Sequence, residues 1–138
     1  MRFFSSSEKQ TFAFAKNFSK TLKGGEVIGL AGNLGAGKTV FAKGLAAGLG
    51  VKKTISSPTF VLMRVYPVKS AAIKQLIHID AYRIKSANDL TAIGAAEYFN
   101  WPDAVTVIEW ADKIKKILPK KAKFVKISIN KASRIINY

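Results

Sequence analysis

Residues 32 to 39 form a glycine-rich loop that constrains the fold of this chain more than any other segment. They read Gly-Asn-Leu-Gly-Ala-Gly-Lys-Thr, which matches the phosphate-loop pattern G-x-x-x-x-G-K-[ST]. The apolar run Val27–Ala31 precedes the loop, and the helix-forming stretch 40–49 follows it. Because this pattern lies between a strand and a helix wherever it functions, its surroundings predict a P-loop fold of the α/β class.

The residue types in the loop indicate its chemistry. Glycine tolerates positive φ, so backbone N–H groups can close around an anion. The helix that begins at the end of the loop directs its unpaired N–H groups to the same point. Lys38 would then reach the β- and γ-phosphates of a nucleotide, and the Thr39 hydroxyl would ligate Mg²⁺. The sequence therefore predicts a nucleoside triphosphate site formed by Asn33, Leu34, Gly35, Ala36, Gly37, Lys38, Thr39 and Val40.

Two acidic residues stand directly after apolar strands. Stretch 76–79 leads into Asp80, and stretch 105–108 leads into Glu109. Ligands of open α/β sheets bind at the carboxyl ends of the strands. We predict that Asp80 ligates Mg²⁺, directly or through water, and that Glu109 is a second acid of the metal site or orients the attacking water. The two roles are interchangeable from the sequence alone, and either acid could instead cap the segment after its strand.

Four further features could belong to the site. A polar turn at 56–59 could bring a hydroxyl to the metal or the γ-phosphate, or could serve only as a turn. We interpret His78, the single histidine, as structural. Trp110 either packs over the end of the sheet or positions Glu109. Arg83 could contact a phosphate or pair with an acid.

Strand-like and helix-like segments alternate along the chain. Several strands are apolar on both faces, which is typical of a sheet covered by helices on both sides. The pattern predicts a three-layer α/β sandwich with a mixed, mainly parallel central sheet, in one P-loop ATPase domain that covers residues 1–138. The predicted strands are 2–4, 27–31, 59–65, 73–79 (a hairpin with the preceding strand), 104–108 and 124–129; the predicted helices are 8–22, ending at Gly24-Gly25, 40–49, 88–96 and 111–118.

The composition is strongly basic. Lysine and arginine number 23 against 8 acidic residues, which gives a formal net charge of +15, and the stretch 113–138 contains no acid. This charge indicates either a surface for nucleic acid or an acidic partner, or a general enrichment in lysine. The absence of cysteine excludes disulfides and thiolate metal sites. Because no apolar segment is long enough to cross a membrane, a cytoplasmic location without membrane contact is expected.

The identity of the nucleotide and the reaction class follow by comparison with other P-loop proteins. GTPases carry a D-x-x-G motif and an N-K-x-D motif. Here Asp80 is not followed by that glycine, and residues 130–133 read Asn-Lys-Ala-Ser without the aspartate, so ATP is favoured over GTP. A small-molecule kinase would need an arginine-rich lid, which four scattered arginines do not supply. A non-catalytic, nucleotide-dependent RNA-binding regulator is a further alternative.

Four motifs in order resemble the signatures of the TsaE (YjeE) family. They are the loop 32–39, Ser57-Pro58-Thr59-Phe60, His78-Ile79-Asp80-Ala81-Tyr82-Arg83 and Ile108-Glu109-Trp110. The segment Leu90-x-x-Ile93-Gly94-x-x-Glu97-Tyr98-Phe99 also resembles this family. Two positions depart from it: Asn33 stands where the family commonly has an acid, and Ala81 where it commonly has leucine.

The resemblance implies a Mg²⁺-dependent ATPase of bacterial threonylcarbamoyladenosine formation in tRNA. Such a protein works with two partners, TsaB and TsaD. TsaD transfers the threonylcarbamoyl group to the adenosine beside the anticodon, and ATP turnover keeps the complex cycling. The resemblance also implies that Thr39, Asp80 and Glu109 surround the metal, with Trp110 beside them. Contact with tRNA is expected through the complex, with direct contact by the basic C-terminal third as an open possibility.

Overall fold

The computed structural model describes residues 1–56 and 62–138, and within them a seven-stranded sheet carries helices on both faces. The strands are β1 (Arg2–Ser5), β2 (Val27–Ala31), β3 (Met63–Pro67), β4 (Gln75–Asp80), β5 (Ala104–Glu109), β6 (Lys123–Asn130) and β7 (Ser133–Asn137). The α-helices are α1 (Glu8–Phe18), α2 (Lys38–Leu49), α3 (Ala87–Ala92) and α4 (Ala95–Tyr98), and two 3₁₀ segments span Ser19–Thr21 and Ala111–Ile117. None of the helices in these residues has the length and apolar character to span a bilayer.

The strand order places the phosphate loop at the centre of the sheet. It is β1-β7-β6-β2-β5-β4-β3, in which β6, β2, β5 and β4 run parallel to one another. Antiparallel pairs complete both sides, with β3 on β4 at one edge and β7 and β1 at the other. The carboxyl ends of β2, β5 and β4 therefore share one edge. The predicted mixed, mainly parallel α/β sheet is confirmed, as is the β3–β4 hairpin.

Two apolar clusters, one on each face, hold the helices to the sheet. One cluster packs α1 and α2 against β2, β6 and β7, and its largest side chains include Phe41, Leu45 and Ile127. The other packs α3, α4 and the 3₁₀ segment Ala111–Ile117 against β4 and β5. Gly29 of β2 lets the 3₁₀ segment pack closely on the sheet, because a Cβ at this position would lie 2.8 Å from the Cβ of Ala111.

The first helix is shorter than predicted. Ser7 caps it as its sequence position suggests, since its side chain accepts a hydrogen bond from the Gln10 backbone N–H at 3.1 Å. The α-helix ends at Phe18 and the chain continues as a 3₁₀ turn, so the prediction that Gly24-Gly25 would cap a helix over 8–22 is wrong. Gly24 is instead required by close approach, because a Cβ there would collide with the carbonyl oxygen of Pro102.

Two other predicted elements also differ, and one strand was not predicted. The helix expected over 88–96 is two short helices, α3 and α4, interrupted at Gly94 with φ +79°. The segment expected as an α-helix over 111–118 is 3₁₀, with a non-helical Ile114. Strand β7 was not predicted, because its hairpin turn uses Lys131 at φ 55° rather than a glycine. The predicted strand 59–65 overlaps β3, and its first part lies outside the described residues.

Candidate functional site

The phosphate loop joins β2 to α2 with three glycines at positive φ. Gly32, Gly35 and Gly37 have φ values of 153°, 79° and 110°. Gly37 is the left-handed N-cap of α2, so the backbone turns directly from the loop into the helix. A Cβ on Gly32 would collide with the carbonyl oxygen of Ile127 in β6. The loop is therefore fixed both by its own conformation and by the neighbouring strand.

Lys38 begins α2 and its side chain folds over the loop. The residue is 5% exposed. Its Nζ donates to the carbonyl oxygens of Gly32 at 2.5 Å and Asn33 at 3.0 Å, and lies 3.7 Å from the ring centroid of Trp110. Burial lowers the pKa of the Lys38 ammonium, and the charges of Glu109, Asp112 and Asp80 oppose that shift without cancelling it.

Glu109 closes the site from the end of β5. It is 3% exposed, and both carboxylate oxygens have partners. Oε1 accepts a hydrogen bond from the Thr39 hydroxyl at 2.7 Å, and Oε2 lies 2.7 Å from Nε2 of His78. Burial alone would raise the pKa of Glu109, but the hydrogen bonds with His78 and Thr39 and the charge of Lys38 outweigh it and lower that pKa. The contacts thus favour the carboxylate form.

His78 is part of this arrangement, which the sequence analysis did not foresee. The side chain is wholly buried, and among the described residues its Nδ1 has no hydrogen-bond partner. Because the carboxylate of Glu109 can only accept, the Nε2 of His78 is the donor of this hydrogen bond. Strand pairing could have indicated the contact: His78 lies opposite Val107, two residues before Glu109 on the adjacent parallel strand.

Asp80 lies beside Glu109 at the end of the next strand. The two acids are register partners in the β4–β5 pair. Asp80 is half-buried, and its Oδ1 accepts a hydrogen bond from the Tyr82 backbone N–H at 3.0 Å. The residue therefore caps the segment after its strand, which was the alternative interpretation, and also lines the pocket beside the loop.

Trp110 adopts a backbone conformation that is uncommon for a bulky residue. Its φ of 59° and ψ of 33° are left-handed, and it precedes the 3₁₀ segment. This turn places the indole over the Lys38 ammonium and 5.1 Å from the ring of Tyr82. Strain of this kind costs about 1–3 kcal/mol and is concentrated at functional sites.

Together these groups line a pocket of about 350 Å³, within the size range of small-molecule sites. Its lining residues are Glu8, Leu34, Gly35, Gly37, Lys38, Thr39, Val40, Asp80, Glu109 and Trp110. Of the predicted loop residues, Asn33 and Ala36 are outside this lining. Arg83 is exposed and is also outside it. Of the predicted turn at 56–59, residues 57–59 lie outside the described residues.

Two contributors to the site were missed by sequence reasoning. Glu8, at the start of α1, also lines the pocket. Arg134, on the unpredicted strand β7, donates from Nε to the carbonyl oxygen of Ala36 at 3.0 Å. Neither residue belongs to a recognisable motif, and only the folded chain brings them to the loop.

A phosphate loop on a central strand, followed by α2 and flanked by acids on two neighbouring parallel strands, defines a P-loop nucleoside triphosphatase fold. A family model described as threonylcarbamoyl adenosine biosynthesis protein TsaE matches residues 5–136. The chain belongs to this TsaE family.

Individual relatives agree with that assignment. A tRNA threonylcarbamoyladenosine biosynthesis protein TsaE from Treponema pallidum is 41% identical over 119 residues, covering 86% of this chain and 84% of the relative. The protein of the same name from Bacillus subtilis is 39% identical, covering 80% of this chain and 66% of the relative. The crystal structure of Bacillus subtilis YdiB superposes with a TM-score of 0.76 at 32% identity, covering 99% of this chain and 82% of that one.

Proposed function

We propose that this chain binds and hydrolyses ATP with Mg²⁺ as a component of the machinery that makes threonylcarbamoyladenosine in tRNA. The observation that carries the proposal is the contact of Glu109 with Thr39 at the mouth of the phosphate loop, in a pocket that also contains Lys38 and Asp80. The names of the relatives supply the pathway. From the family resemblance we propose TsaB and TsaD as the partner proteins.

The residues around Thr39 fit a magnesium ion. Mg²⁺ prefers oxygen ligands and keeps several waters, so it takes only one or two protein groups besides phosphate oxygens. The site has this character: Thr39, Asp80 and Glu109 offer oxygens, while no group of three acidic or histidine side chains forms a complete metal cage within the described residues. A bound Mg²⁺ would neutralise developing charge on the phosphates.

We propose different tasks for the two acids, based on their contacts. Both oxygens of Glu109 are engaged, one with the Thr39 hydroxyl and the other with the His78 ring. Glu109 therefore holds Thr39 in position and contributes negative charge to the metal site. Asp80 lies one strand further from the loop and is the second acid. It would accept a hydrogen bond from a metal-bound water or orient the attacking water. Lys38 is the cation for the β- and γ-phosphates.

Partner dependence is part of the proposal. Among the described residues, none that lines the pocket is an arginine, and part of the boundary is the side chain of Leu34, which is 85% exposed. Water at an open site keeps the local dielectric high and weakens stabilisation of the transition state. The isolated chain should hydrolyse ATP slowly, and a TsaB–TsaD pair that covers the pocket should accelerate it, as groups supplied in trans accelerate GTPases.

The test is ATP hydrolysis with and without purified TsaB and TsaD, using Asp80→Asn and Glu109→Gln as variants. Each change keeps the shape and removes charge, so we expect ATP affinity within a few-fold of the parent and kcat lower by about a hundredfold. Parental hydrolysis by both variants would refute the assignment of the acids. Full-speed hydrolysis by the chain alone, with no effect of the partners, would refute partner dependence, and phosphate transfer to a small acceptor would indicate a kinase instead.

A further inference from the structure

A band of cationic and aromatic side chains runs from the rim of the nucleotide pocket across one face of the sheet. It lies on the side that carries the 3₁₀ segment Ala111–Ile117, opposite α1 and α2. The cationic–aromatic band consists of Tyr82, Lys113, Lys115, Lys126, Arg2 and Phe4.

The first half of the band begins beside the pocket. The Nζ of Lys113 lies 3.9 Å from the ring centroid of Tyr82 and 5.6 Å from that of Trp110. Tyr82 is 56% exposed, so part of its ring remains at the surface beside Lys113 and Trp110. The Nζ of Lys115 lies 5.3 Å from the ring of Phe124 in β6, which continues the band from the 3₁₀ segment onto the sheet.

The second half of the band lies on the neighbouring strands β6, β7 and β1. Phe124 and Lys126 share a face because alternate residues of a strand point the same way. Lys126 pairs with Asn137 of β7, which pairs with Arg2 of β1. Phe4, two residues along β1, is on the same face and is 61% exposed. The cations Lys113, Lys115, Lys126 and Arg2 thus lie between the exposed rings of Tyr82 and Phe4.

This part of the sheet is open to solvent. The 3₁₀ segment covers Phe124, but neither apolar cluster of the described residues includes Phe4 or Ile135 from the outer strands. Lys126 and Arg2 are exposed. The neighbouring surface is also basic: a hollow of about 550 Å³ next to the band is lined by Lys85, Lys113, Lys115 and Lys116, with Asp112 as its acid.

We infer that the cationic–aromatic band binds single-stranded RNA. Lysine and arginine would contact phosphates, and bases would stack on the exposed rings of Tyr82 and Phe4, which is how sequence-tolerant single-strand surfaces are built. An acidic protein would satisfy the charges, but exposed rings beside the cations at both ends of the band favour an anionic chain whose bases can stack. The inference rests on the proposed role in tRNA modification, and it specifies the surface through which this chain itself would touch the RNA.

The test is fluorescence anisotropy of a short, unstructured, fluorescein-labelled RNA titrated with the full chain over a series of salt concentrations. At physiological salt we expect a Kd of about 10⁻⁶–10⁻⁴ M. The double variant Lys115→Gln, Lys126→Gln should reduce the magnitude of the salt slope by about 1.4, since each phosphate contact on a single strand contributes about 0.7. Phe4→Ala should weaken binding about five- to a hundredfold at every salt concentration and leave the slope unchanged.

The matched control is Lys9→Gln, Lys20→Gln, which removes the same charge from exposed positions at the opposite face of the sheet. Equal slopes for the two double variants would overturn the inference and indicate a general effect of charge. Failure of the parent chain to bind RNA, combined with binding to an acidic partner protein that the band variants abolish, would overturn it in favour of a protein surface. ATP affinity, measured in parallel, distinguishes failure of this inference from failure of the proposed function. Loss of RNA binding with intact ATP binding contradicts only the inference about the band. Absence of ATP binding contradicts the proposed function.

Discussion

Glu109 connects three side chains that lie far apart in the sequence. Its oxygens meet the Thr39 hydroxyl and the His78 ring, and its charge faces the Lys38 ammonium. A buried carboxylate is costly unless it is hydrogen-bonded, and here each oxygen has a partner. The same contacts that stabilise the ionised form also fix the direction of Thr39, so stability and site geometry depend on one residue.

Lys38 is the most direct test of the nucleotide site at this scale. Lys38→Ala removes the cation aimed at the β- and γ-phosphates, and a charge-assisted hydrogen bond contributes about 1.5–3 kcal/mol. We expect ATP affinity to fall about ten- to a hundredfold, as measured by calorimetry with Mg²⁺ present. Lys43→Ala, on the same helix but away from the pocket lining, serves as the control. Undiminished binding by Lys38→Ala would contradict the phosphate-loop assignment.

His78 should act as a positioning residue through Glu109. His78→Leu leaves one buried oxygen of Glu109 without a donor, which costs about 1–3 kcal/mol of stability and frees the carboxylate to move. We expect kcat for partner-stimulated ATP hydrolysis to fall at least tenfold with KM little changed. His78→Gln carries an N–H at a similar distance and should recover most of the rate.

The comparison of the two His78 variants separates positioning from packing. If both lose the same activity and the same thermal stability, His78 only fills space. If His78→Leu hydrolyses ATP at the parental rate, the contact with Glu109 has no role in the reaction. Calorimetric ATP binding by each variant confirms that the loop itself is intact.

The loop and both acids were identifiable from the sequence, but the contacts between them were not. The loop is local, so its glycines, Lys38 and Thr39 were recognisable from spacing alone. Asp80 and Glu109 were recognisable because each follows an apolar strand. His78 was interpreted as structural, because a histidine inside an apolar run gives no sign of its partner. The pairing with Glu109 depends on the register of β4 with β5, which the sequence does not state.

At the scale of elements, the C-terminal hairpin supports the phosphate loop. Strand β7 places Arg134 against the carbonyl oxygen of Ala36, and β6 packs its backbone against Gly32. The hairpin was only half predicted, because its turn, Lys131-Ala132, lacks the glycine that usually marks such turns. The short helices α3 and α4 and the 3₁₀ segment were merged into longer helices for a similar reason: periodicity shows which residues are apolar but not where a short helix breaks.

The brace between β7 and the loop leads to a prediction. Arg134→Met keeps the length of the side chain and removes the donor to Ala36, so the loop should lose rigidity and ATP affinity should fall roughly tenfold. Arg134→Lys keeps the charge without the guanidinium geometry and should fall nearly as far. Arg64→Met, on the exposed face of β3, removes an equal charge elsewhere. Parental affinity for Arg134→Lys would show that only charge matters at this position.

At the scale of the whole molecule, the sheet order determines where the chemistry collects. The acids come from β4 and β5 and the loop from β2, and they meet at one edge because these strands are parallel. Antiparallel β7 begins at the same edge, beside the end of β6, and there places Arg134 against the loop. The alternation of strands and helices was sufficient to predict this class of fold. The positions of β1 and β7 were beyond prediction, since the pairing of residues near Arg2 with residues near Asn137 joins the two ends of the chain.

The net charge of +15 also belongs to the whole molecule and should influence its stability. Because the chain has 23 basic and only 8 acidic residues, repulsion among like charges destabilises the compact state. Salt shortens the Debye length from about 30 Å at 0.01 M to about 8 Å at 0.15 M, so added NaCl should screen the repulsion and raise the melting temperature. Calorimetric scans measure the effect, and Lys9→Gln, Lys20→Gln should show a smaller rise. Lys38→Ala should keep the full rise, which separates general screening from chloride binding at the loop. A melting temperature that falls with salt in the parent chain would show that specific ion pairs outweigh the repulsion.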